Sequence, residues 1–224
     1  MNFKWRHFQS DIILTCIRWY LAYPLSYRNI EEMMLERGIE VDHTTINRWV
    51  LKYTPEIEKK FRKHKGPVGA SWRLDETYIK VKGQWKYLYR AVDKQGLTID
   101  FMLSAKRDTK AAKKFFKKAI KNNGTPTTVN IDKSGANNAG IKEYNRGLFH
   151  KVKIRQCKYL NNIVESDHRK IKTITNPMKG FQSFKTARIV LAGIEVLSMI
   201  RKNQLNYMPL FVKNSVDAFY QLAS

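Results

Sequence analysis

Cysteine is scarce in this chain. Cys16 and Cys157 are the two in 224 residues, and they form no CxxC pair and no Cys/His cluster. That speaks against structural zinc and against a disulfide framework, and it fits a cytosolic chain with reduced thiols. Long apolar runs are missing as well. No stretch of about 18 apolar residues could span a bilayer, and no N-terminal stretch reads as a signal peptide. There is no internal repeat and no low-complexity segment. Acidic residues are few, 19 against 42 basic ones, for a formal net charge of +23. The deficit is uneven. Residues 1–70 carry 12 basic and 8 acidic side chains, residues 71–150 carry 17 and 7, and residues 151–224 carry 13 and 4. Such an excess implies a polyanionic partner, because neutralised phosphates release counterions. Nucleic acid is the expected partner and a membrane surface the competing one. Hydrophobic residues make up 43%, which is ample for a core.

What is present divides near residue 66. Residues 1–54 read as three helices. The first runs from Asp11, capped by Ser10, and is stopped by Pro24. The second runs from Tyr27 to about Arg37, ahead of Gly38. The third opens at Asp42 or His43 and carries Ile46, Trp49, Val50 and Tyr53. Helices two and three form a helix-turn-helix pattern. In that motif the early residues of the second helix meet base edges, here His43, Thr44, Thr45, Asn47 and Arg48. A plain three-helix bundle without DNA contact carries the same spacing. The cluster Lys59, Lys60, Arg62, Lys63 and Lys65 follows, as a solvated face or linker. Gly66-Pro67-Val68-Gly69 then marks a boundary. The expected domains are therefore 1–66, an all-α helix-turn-helix domain with a basic linker, and 67–224.

After residue 70 the periodicity changes to that of strands. Trp72 to Lys82, Trp85 to Val92 and Leu97 to Leu103 form an antiparallel meander, with turns at Gly83-Gln84 and Asp93-Lys94-Gln95-Gly96. A helix over 109–122, a short strand from Thr127 to Ile131 and a helix over 137–148 follow. A strand from Val152 to Arg155, a helix over 161–172 and a long amphipathic helix at about 185–204 complete the chain. The order βββαβαβα predicts an α/β domain of the ribonuclease H-like class, a mixed sheet with helices.

Three carboxylates sit at informative places in that order. Asp75 lies mid-strand, where a buried carboxylate costs free energy unless it is paired or binds metal. Asp132 directly follows an apolar strand, a position that hosts ligands in α/β sheets but also suits a turn or cap. Glu165 shares a helix face with His168, Arg169 and Lys172 by the i, i+3, i+4, i+7 rule. Asp167 lies about 200° round that helix, so Glu165 and Asp167 cannot both enter one site. Each carboxylate alone is as well explained by a solvated face, a cap or an ion pair. Together, in a basic chain, they suggest a Mg²⁺ site facing nucleic acid.

Several runs also resemble a known family. Trp72-Arg73-Leu74-Asp75-Glu76-Thr77-Tyr78-Ile79-Lys80-Val81-Lys82-Gly83, with Trp85-Lys86-Tyr87-Leu88-Tyr89-Arg90-Ala91-Val92-Asp93, resembles the signature of compact DDE transposases. These are encoded by bacterial insertion sequences of the sixth insertion-sequence family. Tyr159-Leu160-Asn161-Asn162-Ile163-Val164-Glu165-Ser166-Asp167-His168 is similar to the third catalytic block of that family, and Gly193-Ile194-Glu195-Val196 with Met199-Ile200-Arg201-Lys202 to its C-terminal helix. The resemblance covers nearly the whole chain. The family usually places a Thr before the second Asp and an Ala-Pro-like pair after it, where Asn130-Ile131-Asp132-Lys133-Ser134-Gly135-Ala136 stands here.

The resemblance implies a catalytic and metal-binding triad of Asp75, Asp132 and Glu165, spaced by 57 and 33 positions. It implies two Mg²⁺ ions, with Mn²⁺ as a substitute, and cleavage and strand transfer of double-stranded DNA at element ends and target. The helix-turn-helix would read terminal inverted repeats. Lys133, Lys158, His168, Arg169 and Lys172 would contact DNA, with Arg155 beside them. A homodimer or larger assembly on DNA and a bacterial cytoplasmic, nucleoid-associated location are also implied. Two rivals remain at this level: a ribonuclease H-like nuclease such as a resolvase, and a helix-turn-helix regulator without catalysis.

Overall fold

The structure, a computed structural model, describes residues 1, 7–132, 135–146, 149, 151–206 and 214–223. In chain order its elements are α1 (Ser10–Ala22), α2 (Tyr27–Leu35), α3 (His43–His64), β1 (Ser71–Val81), β2 (Gln84–Asp93), β3 (Thr98–Ser104) and α4 (Thr109–Asn123). Then come β4 (Thr128–Ile131), α5 (Gly135–Asn145), β5 (Lys153–Gln156), α6 (Asn162–Thr175), α7 (Phe184–Arg201) and α8 (Ser215–Ala223). None of these helices is long and apolar enough to cross a membrane.

The chain forms two compact units, residues 67–170 in one and residues 1–66 with 171–224 in the other. These units divide the chain differently from the expected 1–66 and 67–224. The long helix α7 packs on α3 and α1, within the helical unit. Its apolar residues are buried nearly all round, from Ala187 through Val190, Ile194 and Leu197 to Ile200. Gly193 is the contact point. A Cβ there would come within 2.6 Å of Leu21 and 2.8 Å of the Thr54 methyl, so only glycine lets the three helices approach this closely.

In the helical unit, α2 opens on a capping box. The Ser26 hydroxyl accepts from the Asn29 amide at 3.1 Å, and the Ser26 amide donates to the Asn29 side chain at 2.9 Å. Gly38, at φ +70°, makes the turn that leads to α3. Asp42 caps α3 by accepting from the amides of Thr44 and Thr45 at 2.9 and 3.0 Å. The helix runs on through Lys59, Lys60, Arg62 and Lys63, which it carries as a helix face, and ends at His64 with Lys65 as its cap. Helix α1 begins at Ser10, one residue earlier than expected, with Gln9 at its cap.

The other unit is built on one five-stranded sheet of order β3-β2-β1-β4-β5. The pairs β1–β2 and β2–β3 are antiparallel, and β4 and β5 run parallel to β1. With the element order above, this is the ribonuclease H-like arrangement. The first hairpin turns at Lys82-Gly83, both at positive φ (50° and 74°), one residue before the expected Gly83-Gln84. Two positive φ values give the primed turn whose twist matches that of the strands. Asp93 organises the second turn, accepting from the amides of Gln95 and Leu97 at 2.9 Å each and from Gly69 at 2.8 Å. The core lies between the sheet and α4, where Trp72, Leu74, Tyr89, Phe115, Phe116 and Ile131 are buried together.

Candidate active site and nucleic-acid interface

The parallel register of β1 and β4 sets the first two carboxylates level. Arg73 pairs with Asn130. Two residues further along each strand direction stand Asp75, in the middle of β1, and Asp132, just past the end of β4. The short turn before α6, Lys158–Asn161, rests on both strands. Within it the Asn161 side chain donates to the Leu74 carbonyl at 3.5 Å. Helix α6 therefore starts beside Asp75, and its first turn carries Glu165.

The electrostatics agree with that placement. Burial, then the charges of Glu76, Asp132 and Glu165, push the Asp75 carboxyl up to about 7. Asp132 and Glu165 are thus both within electrostatic reach of Asp75. The three are not drawn into a closed cluster: among the described residues no three His, Cys, Asp or Glu side chains are gathered tightly enough to hold a metal ion as they stand.

Two contacts fix α6 against the sheet on the Asp75 face. His168 Nδ1 lies 3.7 Å from Asp75 Oδ2. Arg90, directly across the ladder from Asp75, donates to Asp167 Oδ2 at 2.7 Å. Arg90 is fully buried and Asp167 nearly so. On the opposite face of β1, buried Glu76 takes a hydrogen bond from Asn137 at 2.8 Å and pairs with Arg107, which also feels the Asp132 charge.

Among the expected DNA contacts, Arg169, Lys172 and Arg155 are exposed, and so is Glu165. His168 is 6% exposed and lies against Asp75. Lys133 and the side chain of Lys158 lie outside the described residues. On α3, Thr44 and Arg48 are exposed and joined by a hydrogen bond of 3.1 Å. The hydroxyls of Thr44 and Thr45 both donate to Asp42, that of Thr45 at 2.6 Å, and His43 Nδ1 meets a Glu31 carboxylate oxygen at 3.1 Å. Asn47 is half-buried. Lys52, exposed one turn beyond Arg48, continues that face and was not singled out from the sequence. Nor were Arg90, Glu76, Arg107 and Asn137.

The family model for a DDE domain matches residues 69–204. The chain is also 39% identical over 204 residues to a transposase for the insertion sequence-like element IS431mec of Staphylococcus aureus, covering 90% of each chain. The chain belongs to the DDE transposases of insertion sequences. A second S. aureus relative of this transposase, that of insertion sequence element IS257 in transposon Tn4003, is 38% identical over the same share of both chains. Among solved structures, the HTLV-2 integrase catalytic core in complex with magnesium resembles it with a TM-score of 0.45 and 19% identity, over 71% of this chain and 100% of that one. Membership decides against the resolvase and the non-catalytic regulator. The matched segment of the transposase contains Asp75, Asp132 and Glu165.

Proposed function

We propose that this transposase binds the terminal inverted repeats of its insertion sequence and cuts and joins DNA at Asp75, Asp132 and Glu165. One observation carries the assignment. Asp75 is a half-buried carboxylate in a central strand, pushed up to about 7 by burial and by three neighbouring carboxylates, Asp132 and Glu165 among them. Such repulsion is costly in a fold with no other use for it, and a bound cation offsets it. The donor set fits a hard divalent cation, since all three groups offer oxygen.

Asp75, Asp132 and Glu165 would hold two Mg²⁺ ions, or Mn²⁺ in their place. When bound, these supply a polarised attacking oxygen and stabilise charge on the phosphate. In the first step water attacks the phosphodiester at the element's end and the 3′ oxygen leaves. In the second, that 3′-OH attacks a target phosphodiester and displaces the target's own 3′ oxygen. His168 holds Asp75 in place, and the Arg90–Asp167 pair sets the angle of α6. Arg169 and Lys172 contact phosphates, and the exposed Thr44–Arg48 face of α3 reads the repeat. Two ends must be joined, so the working form is a dimer or larger assembly on DNA, in the bacterial cytoplasm.

The test is Mg²⁺-dependent joining of a labelled element-end duplex to plasmid DNA, with Glu165→Gln beside the wild type. Product from the wild type alone is expected. Equal product from Glu165→Gln would remove Glu165 from the site, and no product from either would overturn the proposal.

A further inference from the structure

The β1–β2 hairpin extends past the carboxylates and ends in aromatics that the fold leaves uncovered. Tyr78 pairs with Tyr87 and Lys80 with Trp85 across the ladder, so all four side chains stand on one face. The rings touch: Tyr78 meets Trp85 edge-on at 6.2 Å between centroids, and Tyr87 at 5.4 Å. Trp85 is 59% exposed and Tyr78 46%. Lys80 and Lys82 are exposed beside them, and residues 77–92 contain no acidic side chain.

We infer that this hairpin tip is a stacking platform for unpaired bases of a DNA strand. An exposed ring offers its π-face to any base, and flanking lysines hold the backbone, which is the combination that single-strand binding uses. A second copy of the chain is a poorer occupant, because facing tips would bring Lys80 and Lys82 against their own counterparts. Tyr78 lies three residues beyond Asp75, about 10 Å along the strand, and the Lys80–Trp85 pair about 17 Å, both on the Glu76 face of β1 rather than the Asp75 face. A strand held on the tip would therefore pass round the hairpin to reach Asp75, a path of several nucleotides. This position relative to a cut rests on the proposed function; the stacking itself does not.

The full-length chain is titrated with a labelled oligodeoxythymidylate of about twelve nucleotides and with a duplex of the same length, at several salt concentrations. Trp85→Ala should bind the single strand about tenfold more weakly, and the duplex less than about twofold, since one stacked base is lost. Its salt dependence should be unchanged, whereas Lys80→Ala should lower the slope by about one phosphate contact. Trp85→Phe should restore most of the loss. Unchanged single-strand affinity in Trp85→Ala, with an unchanged melting temperature, would overturn the inference. So would an equal loss on duplex, or a DNA-free change of oligomeric state in Trp85→Ala, which would mark the face as an interface between copies. Failure of the wild type to join DNA, with selective loss in Trp85→Ala, would sink the proposed function and leave the platform standing.

Discussion

Replacing Asp75 by Asn should destroy activity and stabilise the metal-free protein. The Asp75 carboxyl is pushed from an ordinary 3.8 to about 7, mainly by burial and then by Glu76, Asp132 and Glu165. A carboxyl raised in the folded state is protonated there while the unfolded chain is already ionised. Folding stability is therefore fully retained below about pH 4, falls as the pH climbs through the window up to about 7, and levels off above it. At about 1.4 kcal/mol per unit, the loss approaches about 4 kcal/mol in metal-free protein, an upper bound because relaxation of the neighbouring carboxylates shares it. The amide of Asp75→Asn cannot ionise, so the variant should lack this slope. The assay is thermal unfolding in chelator at a series of pH values. At about pH 8 the variant should melt several degrees above the wild type, at about 2–4 °C per kcal/mol for a chain of this size. Added Mg²⁺ should raise the wild-type midpoint and leave the variant nearly unmoved, since only a ligand of the folded state shifts it. A variant that melts at or below the wild type at about pH 8, or that keeps the slope between about 4 and 7, would refute the electrostatic reading of the site.

Other outcomes follow from single contacts. Arg90→Met leaves Asp167 buried without this partner and should cost about 3–5 kcal/mol, read by denaturant unfolding, with Asp167→Asn in the same background recovering part of it. Gly193→Val places a side chain against Leu21 and Thr54; it should cost about 1–3 kcal/mol in a melt while leaving the carboxylates in place. Thr44→Ala with Arg48→Ala should weaken binding to the element's own ends, and the Arg change should reduce the salt slope by about one, as measured by anisotropy. Equal affinity for end and random duplex in the wild type would remove α3 from sequence reading.

Strand periodicity made the meander legible, because each strand is a run of β-forming residues between turn formers. The trio was legible as positions in an element order: mid β1, after β4, in the first turn of α6. What failed has identifiable causes. Helical spacing says which residues share a side but not which side faces the protein. His168 groups with Glu165, Arg169 and Lys172 by spacing, yet the turn resting on β1 and β4 rotates α6 so that His168 meets Asp75. Likewise the apolar pattern of α7 predicts a core helix without saying which elements it packs on, since an apolar helix fits any apolar face. Its notch at Gly193 selects α1 and α3, and a glycine in mid-helix carries that signal only once its neighbours are known.

Arg90 shows where a stricter reading of the same sequence leads. It interrupts the apolar run Tyr87-Leu88-Tyr89-Arg90-Ala91-Val92 of a central strand, where an arginine has no water to solvate it. Such a residue must meet a buried carboxylate from outside the strand. The hairpin places it opposite Asp75 and on the same face, so its partner has to come from the element covering that face. Asp167 is that partner, two residues from Glu165. Asp167 thus anchors α6 to the sheet beside Asp75, while Glu165, about 200° round the helix from it, stays exposed.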